Sequence, residues 1–171
     1  MSEIRVRPLA EDDWQNYRSI RLAALEDSPD AFVATHDEEE AFEEDSWRAR
    51  MTRSERLLAE VDGVAVGVAS LGEDEEDTGT AQLFGLWVTP AARGTGVATA
   101  LVQAGADAAL ASGRTQLSYW VSTDNARAVA FASGFGFRPG NRRRPMHGRG
   151  GEEEIVMVMA LGDDRGQPTP F

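Results

Sequence analysis

The sequence predicts an α/β (α+β) chain organised on a mixed, mostly antiparallel sheet of about six to seven strands, and three observations carry that prediction. Residues 56–61 and 64–71 are apolar runs that flank Asp62-Gly63, the kind of pair that closes a two-residue hairpin. Leu83-Phe84-Gly85-Leu86-Trp87-Val88 is an aromatic-rich run stopped by Thr89-Pro90, where proline withdraws a ladder donor. Behind it, Arg93-Gly94-Thr95-Gly96-Val97-Ala98 turns into a helix on which Val97, Leu101, Ala104 and Ala108 recur at helical spacing, and Thr115–Ser122 reads as the next strand. Strand, crossover helix and strand make a right-handed parallel unit beside an antiparallel meander.

The remaining elements follow in order. Ile4-Arg5-Val6-Arg7 alternates as a first strand and Pro8 stops it. Glu11, Asp12 and Asp13 suit the first turn of a helix whose apolar face is Trp14, Tyr17, Ile20, Leu22 and Leu25, and Asp27-Ser28-Pro29 ends it. A dense acidic run from Asp37 to Asp45 precedes Trp47 and Met51 and reads as a solvated helix face, with attraction of a cationic acceptor as its second reading. Gly72–Gly79 is acidic and lacks apolar content, which predicts a surface loop. Ser112-Gly113 stops the helix after it, and Thr123 or Asp124 is the expected cap of a helix through Val129 and Phe131 to Gly134. Phe137 opens a further strand, Asn141–Gly151 is expected to be a basic, glycine-rich turn, and Ile155–Leu161 is a last buried strand. Arg142-Arg143-Arg144 reads as a solvated edge that discourages sheet pairing, or else as a contact for cofactor phosphate or an acidic substrate. The expected organisation is one domain over 1–161 and a flexible tail over 162–171.

Composition removes several functions. Twenty-nine acidic against seventeen basic residues give a net charge of -12, which repels nucleic acid and anionic lipid. With no cysteine there is no disulfide, thiolate metal site or acyl-cysteine intermediate. His36 and His147 are the only imidazoles, so no metal is expected. The charged start and the lack of any run near the roughly 18 apolar residues of a membrane span predict a cytoplasmic protein.

A glycine loop that opens a helix directly after a buried strand leaves backbone N–H groups unpaired at the positive end of the helix dipole, which makes it a phosphate site. Side chains separate the candidate ligands. No lysine follows Gly96, as a P-loop requires. In the dinucleotide fingerprint Thr99 stands in the third glycine's place, and no acid closes a next strand roughly 20 residues on. Val88-Thr89-Pro90 followed by Arg93, Gly96 and Ala98 resembles the acetyl-CoA loop of the GNAT superfamily of N-acyltransferases, Arg/Gln-x-x-Gly-x-Gly/Ala after a strand ending Val-x-Pro. Asn125-Ala126-Arg127-Ala128, leading through Phe131 to Gly136-Phe137, resembles the same family's second signature, Asn-x-x-Ala followed by Gly-Phe. The competing reading of the loop is an ordinary strand-to-helix turn.

The resemblance implies the GNAT fold, with helices on both faces of the sheet and a splayed parallel pair at the cofactor site. It implies acetyl-CoA as cosubstrate and an amine as acceptor. Leu86, Trp87 and Val88 would offer a backbone edge to the pantetheine arm and thioester carbonyl. Arg93, Gly94, Thr95, Gly96, Val97 and Ala98 would hold the pyrophosphate, and Asn125, with Phe131, would contact pantetheine or the departing sulfur. Ser28-Pro29-Asp30-Ala31-Phe32 resembles the connection that overhangs the acceptor pocket, so Phe32 is expected to line it, with plain anchoring of the loop as the other reading. The chain departs from the family where many members carry a catalytic tyrosine, here Ala132, and where some carry a glutamate base, here Trp120. Trp120 is therefore expected to shape a pocket for a compact or partly apolar amine. No catalytic residue is assigned, a water held by Glu60 or Glu73 being the expected base. The implied activity is acetyl transfer to a primary amine, most simply of a small molecule, by direct attack. A non-catalytic acyl-CoA-binding or regulatory protein and a peptide or protein N-acetyltransferase are the alternatives, and a homodimer is among the assemblies allowed.

Overall fold

In a computed structural model of the chain, residues 3–29, 32, 34–74, 76–145 and 153–162 are described. They form strands β1 (Ile4–Pro8), β2 (Glu55–Val61), β3 (Val64–Glu73), β4 (Thr80–Val88), β5 (Gln116–Ser122), β6 (Arg138–Pro145) and β7 (Glu153–Ala160), and helices α1 (Trp14–Asp27), α2 (His36–Glu40), α3 (Glu44–Arg53), α4 (Val97–Ala111) and α5 (Ala126–Phe135). The hydrogen-bonded strand order is β1-β2-β3-β4-β5-β7-β6. β1–β2, β2–β3, β5–β7 and β6–β7 pair antiparallel and β4–β5 parallel, so the sheet is mixed and mostly antiparallel as predicted. Residue contacts divide the chain into two compact units, Met1–Gly72 with Gly85–Gly105 and Glu73–Phe84 with Ala106–Phe171.

In the first unit, Asp62 (φ 52°) and Gly63 (φ 79°) take the positive φ values that a tight hairpin turn requires, which sets the β2–β3 register from Val61↔Val64. Alternate residues then face opposite ways. Leu58, its partner Val68 and Trp87 join Tyr17, Ile20 and Leu25 of α1 and Trp47 and Met51 of α3 in one core. Gly67, next to Val68, faces away from that core. A Cβ there would meet Val97 Cγ1 at 2.9 Å and Leu101 Cδ1 at 3.0 Å, so the missing side chain is what lets the start of α4 lie against the strand. The acidic run 37–45 is not one solvated helix face. It breaks into α2 and the start of α3, and Glu39 is only 3% exposed. Burial pushes its carboxyl up, but hydrogen bonds from Arg21 (3.0 and 3.1 Å) and Arg50 (2.8 Å) outweigh this and hold it below the usual carboxylate range.

In the second unit, the parallel ladder joins Thr80–Leu83 to Gln116–Tyr119. The segment 72–79 is not wholly a surface loop. Asp74 is 4% exposed, accepting from both Nη groups of Arg142 (3.0 Å for the longer bond), from Ser118 Oγ at 3.4 Å and from the Glu76 N–H at 2.9 Å. The expected turn from Asn141 is strand as far as Pro145, because β6 finds its partner in β7. Residues 146–151 of that expected turn, and 163–171 of the expected tail, lie outside the described residues. β6 is an edge strand and carries Pro139 and Pro145, which an edge tolerates because a donor is not needed there. The cap of α5 is Asn125 instead of Thr123 or Asp124, its Oδ1 accepting from Ala128 N at 3.0 Å. Among the described residues no helix is long and apolar enough to cross a membrane, and no group of three or more His, Asp or Glu is placed to hold a metal.

Candidate active site

The loop after β4 is built almost entirely from main chain. Thr89 donates its N–H to Val66 O at 2.8 Å, which fixes where the strand ends. Pro90–Ala92 is one 3-10 turn, closed by Ala92 N to Thr89 O at 3.0 Å and Arg93 N to Pro90 O at 3.3 Å. The ladder of α4 begins only with Ala100 N to Gly96 O at 3.0 Å. Between these bonds, the N–H groups of Gly94, Thr95, Gly96, Val97, Ala98 and Thr99 make no well-formed hydrogen bond among the described residues. Gly94 (φ 79°) and Gly96 (φ 96°) hold the backbone there. A Cβ at Gly94 would meet nothing within 4 Å, and one at Gly96 only Ile4 Cδ1 at 3.9 Å, so packing does not require glycine. Conformation does. Donors gathered at the start of a fifteen-residue helix fit a diphosphate.

Arg93 is half exposed, and its guanidinium is held by hydrogen bonds within the first unit. Its Nε donates to Val88 O at 3.0 Å and its Nη2 to Asp27 Oδ2 at 2.7 Å. The same oxygen accepts from Trp87 Nε1 at 3.2 Å and from Ser28 Oγ at 2.7 Å. The Ser28 hydroxyl and the Arg93 guanidinium hold the Asp27 carboxyl below its ordinary range. One carboxylate thus ties the end of α1 to the central strand and the loop. Sequence reasoning passed over Asp27, although a signal was present. An acid at the last position of a helix opposes the helix dipole and calls for a cationic partner. Phe32 is half-buried against the α1–α3 core, with the Arg21 guanidinium 4.8 Å from its ring centroid.

Leu86, Trp87 and Val88 lie on β4 past the last rung of the parallel ladder, Leu83↔Tyr119. Trp120 is the first residue of β5 past that rung, in the second unit. Tyr119, on the other face of β5, has its ring 6.2 Å from that of Phe137, and burial pushes its hydroxyl up. Asn125 uses its Oδ1 on the α5 cap, Phe131 is half-buried on the same helix, and Ala132 is fully buried. The two carboxylates expected to hold a water both have arginine partners, Glu60 with Arg7 at 2.7 Å and Glu73 with Arg114. Glu60 also lines a cavity of about 300 Å³ with Asn16, Ser19, Trp87 and Thr89.

The profile of the Acetyltransferase (GNAT) family matches residues 13–137, and the chain belongs to that family. Among solved structures it is similar to a GNAT-family acetyltransferase from Streptococcus pneumoniae, with a TM-score of 0.76 at 18% identity over 94% of this chain and 100% of that one. It is also similar to yncA, a putative acetyltransferase from Salmonella typhimurium solved with its cofactor acetyl-CoA (TM-score 0.73, 20% identity, 99% of each chain). A ribosomal-protein-alanine N-acetyltransferase from Brucella melitensis aligns with a TM-score of 0.70 at 21% identity, over 92% of this chain and 99% of that one. No curated protein matches the sequence.

Proposed function

We propose that the protein transfers the acetyl group of acetyl-CoA to a primary amine of a small molecule. The observation that carries this reading is the run of six main-chain N–H groups, 94–99, without a well-formed hydrogen bond at the start of α4, in a chain of an acetyltransferase family. The acetyl-CoA bound to the Salmonella relative supports the same cosubstrate here. In this reading the loop amides hold the pyrophosphate, and Arg93 acts first as a clasp that keeps the loop on Val88 and Asp27. Main-chain N–H groups of Leu86–Val88 stabilise the thioester oxygen as charge grows on it, a role worth about 3 kcal/mol for one well-placed donor. The bound thioester supplies acyl transfer: the neutral amine bonds to the acetyl carbon, the carbon–sulfur bond breaks, and the amine's proton is released as the thiolate departs. Neither Ala132 nor Trp120 moves a proton, and a thiol of pKa about 8.5 leaves without a dedicated acid. An alkylamine of pKa about 10.4 must lose a proton before attack, so kcat/KM rises with pH through the neutral range.

Two measurements test this. At 100 times its dissociation constant acetyl-CoA stabilises the fold by about 2.7 kcal/mol, a shift of several degrees for a chain of this size. A melting curve that saturating acetyl-CoA does not move would overturn the reading. With binding established, release of CoA thiol is followed with an amine panel that includes peptides. Turnover of small amines supports the proposal, turnover of peptides alone would assign it to the class of the Brucella relative, and none with any amine would leave an acyl-CoA-binding protein.

A further inference from the structure

The loop before α4 closes its own turns but has few polar ties to the rest of the first unit. Among the described residues the hydrogen bonds of Pro90–Ala100 are mostly local: they close the turn at Ala92 and Arg93, start the helix at Ala100 and set the Thr95 hydroxyl on Ala92 O. Arg93 is the exception. Its guanidinium donates to Val88 O at 3.0 Å and reaches beyond the strand to Asp27 Oδ2, at the end of α1, at 2.7 Å. The same oxygen accepts the indole N–H of Trp87, a residue only 7% exposed, at 3.2 Å. Asp27 is thus bonded to both parts of the proposed cofactor site, to the strand end 86–88 through Trp87 and to the head of the donor run 94–99 through Arg93. All of these residues belong to the first unit. An ion pair as exposed as this one, at 51% and 30% for its two side chains, adds little to stability. What a short, charge-assisted bond can do is select one arrangement of the loop. Six main-chain donors serve a diphosphate only together, and a loop that must be ordered on binding subtracts that cost from affinity.

We infer that Asp27 is a positioning residue for acetyl-CoA: without touching the cofactor it holds, through Arg93 and Trp87, the donor run and the end of β4 in the arrangement that takes up the diphosphate. This rests on the acetyl-transfer reading and adds to it a residue on which the site's geometry depends. Simple electrostatics predicts the opposite effect. A carboxylate near a diphosphate repels it, so removing an acid that merely sat there would tighten binding. The helix does not call for the acid either, since a carboxylate at the last position of α1 opposes the helix dipole. The sign of the change in affinity therefore separates an ordering role from a bystander's.

Asp27→Asn keeps the shape and an acceptor oxygen for the buried indole N–H, and removes the charge that Arg93 pairs with. Calorimetry measures acetyl-CoA affinity in the unsubstituted protein, Asp27→Asn, Arg93→Gln and the double variant, with Glu26→Gln, an exposed neighbour on α1, as the control for charge. Expected is a loss of about tenfold or more in Asp27→Asn, and no further loss when Asp27→Asn is added to Arg93→Gln. Glu26→Gln should stay within about twofold. An unchanged or tighter dissociation constant in Asp27→Asn, losses that simply add in the double variant, or an equal loss in Glu26→Gln would overturn the proposal. Amide exchange in the ligand-free protein gives a second readout. The N–H groups of Ala92 and Arg93, which close the turn, should exchange about tenfold faster in Asp27→Asn, and unchanged exchange there would overturn it as well. If acetyl-CoA moves no melting curve while exchange at these two amides still depends on Asp27, the transferase reading falls and the tie between α1 and the loop stands.

Discussion

The loop over 94–99 and the sheet face around Trp120 are built from opposite materials. The loop works with main-chain N–H groups freed by two glycines at positive φ, and its side chains point to structural partners: Arg93 to Val88 and Asp27, Thr95 to Ala92 O. The face works with side chains alone, an indole, two guanidiniums and the carboxylates that fix them. A backbone site tolerates most changes of side chain but none of φ, whereas a side-chain site fails when any member of its bracing network is removed. Mutations should therefore separate the two regions.

The largest expected effect is on the face. Asp74→Ala leaves the Arg142 guanidinium, 31% exposed, with only exposed Glu76 and removes the hydrogen bonds of a buried carboxylate, a loss of about 3 kcal/mol. Urea unfolding measures it. A loss under about 1 kcal/mol would mean that the face is not held by this carboxylate, and the acetyl-CoA melting shift should survive the substitution. The same pair has a pH signature. Hydrogen bonds from Arg142 hold the Asp74 carboxyl below its ordinary range against the opposing effect of burial, so its contribution is complete above the unfolded pKa of about 3.9 and is lost as pH falls through the lower folded value. Asp74→Asn cannot titrate, and its acid unfolding limb should be shallower than that of the unsubstituted protein.

Next in size is the loop. Gly96→Val asks a β-branched residue to adopt φ near 96° and sets a side chain beside the donors, where a Cβ would meet only Ile4 Cδ1 at 3.9 Å. The prediction is loss of essentially all of the roughly 2.7 kcal/mol that acetyl-CoA adds at 100 times its dissociation constant. If the melting shift persisted, the loop amides would not be the diphosphate's donors.

The contrast also explains what was legible in the sequence. The loop, the hairpin at Asp62-Gly63 and the strand-helix-strand unit announce themselves because glycine, proline and apolar spacing act over a few neighbouring residues. The acidic runs hid their two buried members. Glu39 and Asp74 look like their exposed neighbours, and only partners far along the chain, Arg21 and Arg50 for one and Arg142 for the other, single them out. The β6 strand was missed for a related reason. Its residues, exposed and basic, carry no period of two, and it becomes a strand through pairing with β7. Arg144 could be placed on Trp120 only once β5, β7 and β6 were in register.

The smallest predicted effect is the sharpest check on the comparison. Thr95 sits in the middle of the donor run, and its hydroxyl donates to Ala92 O within an exposed turn. Thr95→Ala removes that bond and keeps the main-chain N–H. An exposed substitution of this kind shifts stability by about 0.5 kcal/mol or less, and the acetyl-CoA dissociation constant should change by less than about threefold. Calorimetry on the variant decides it. A tenfold loss would show that the diphosphate is gripped by side chains after all, and the division between a backbone site and a side-chain site would have to be abandoned.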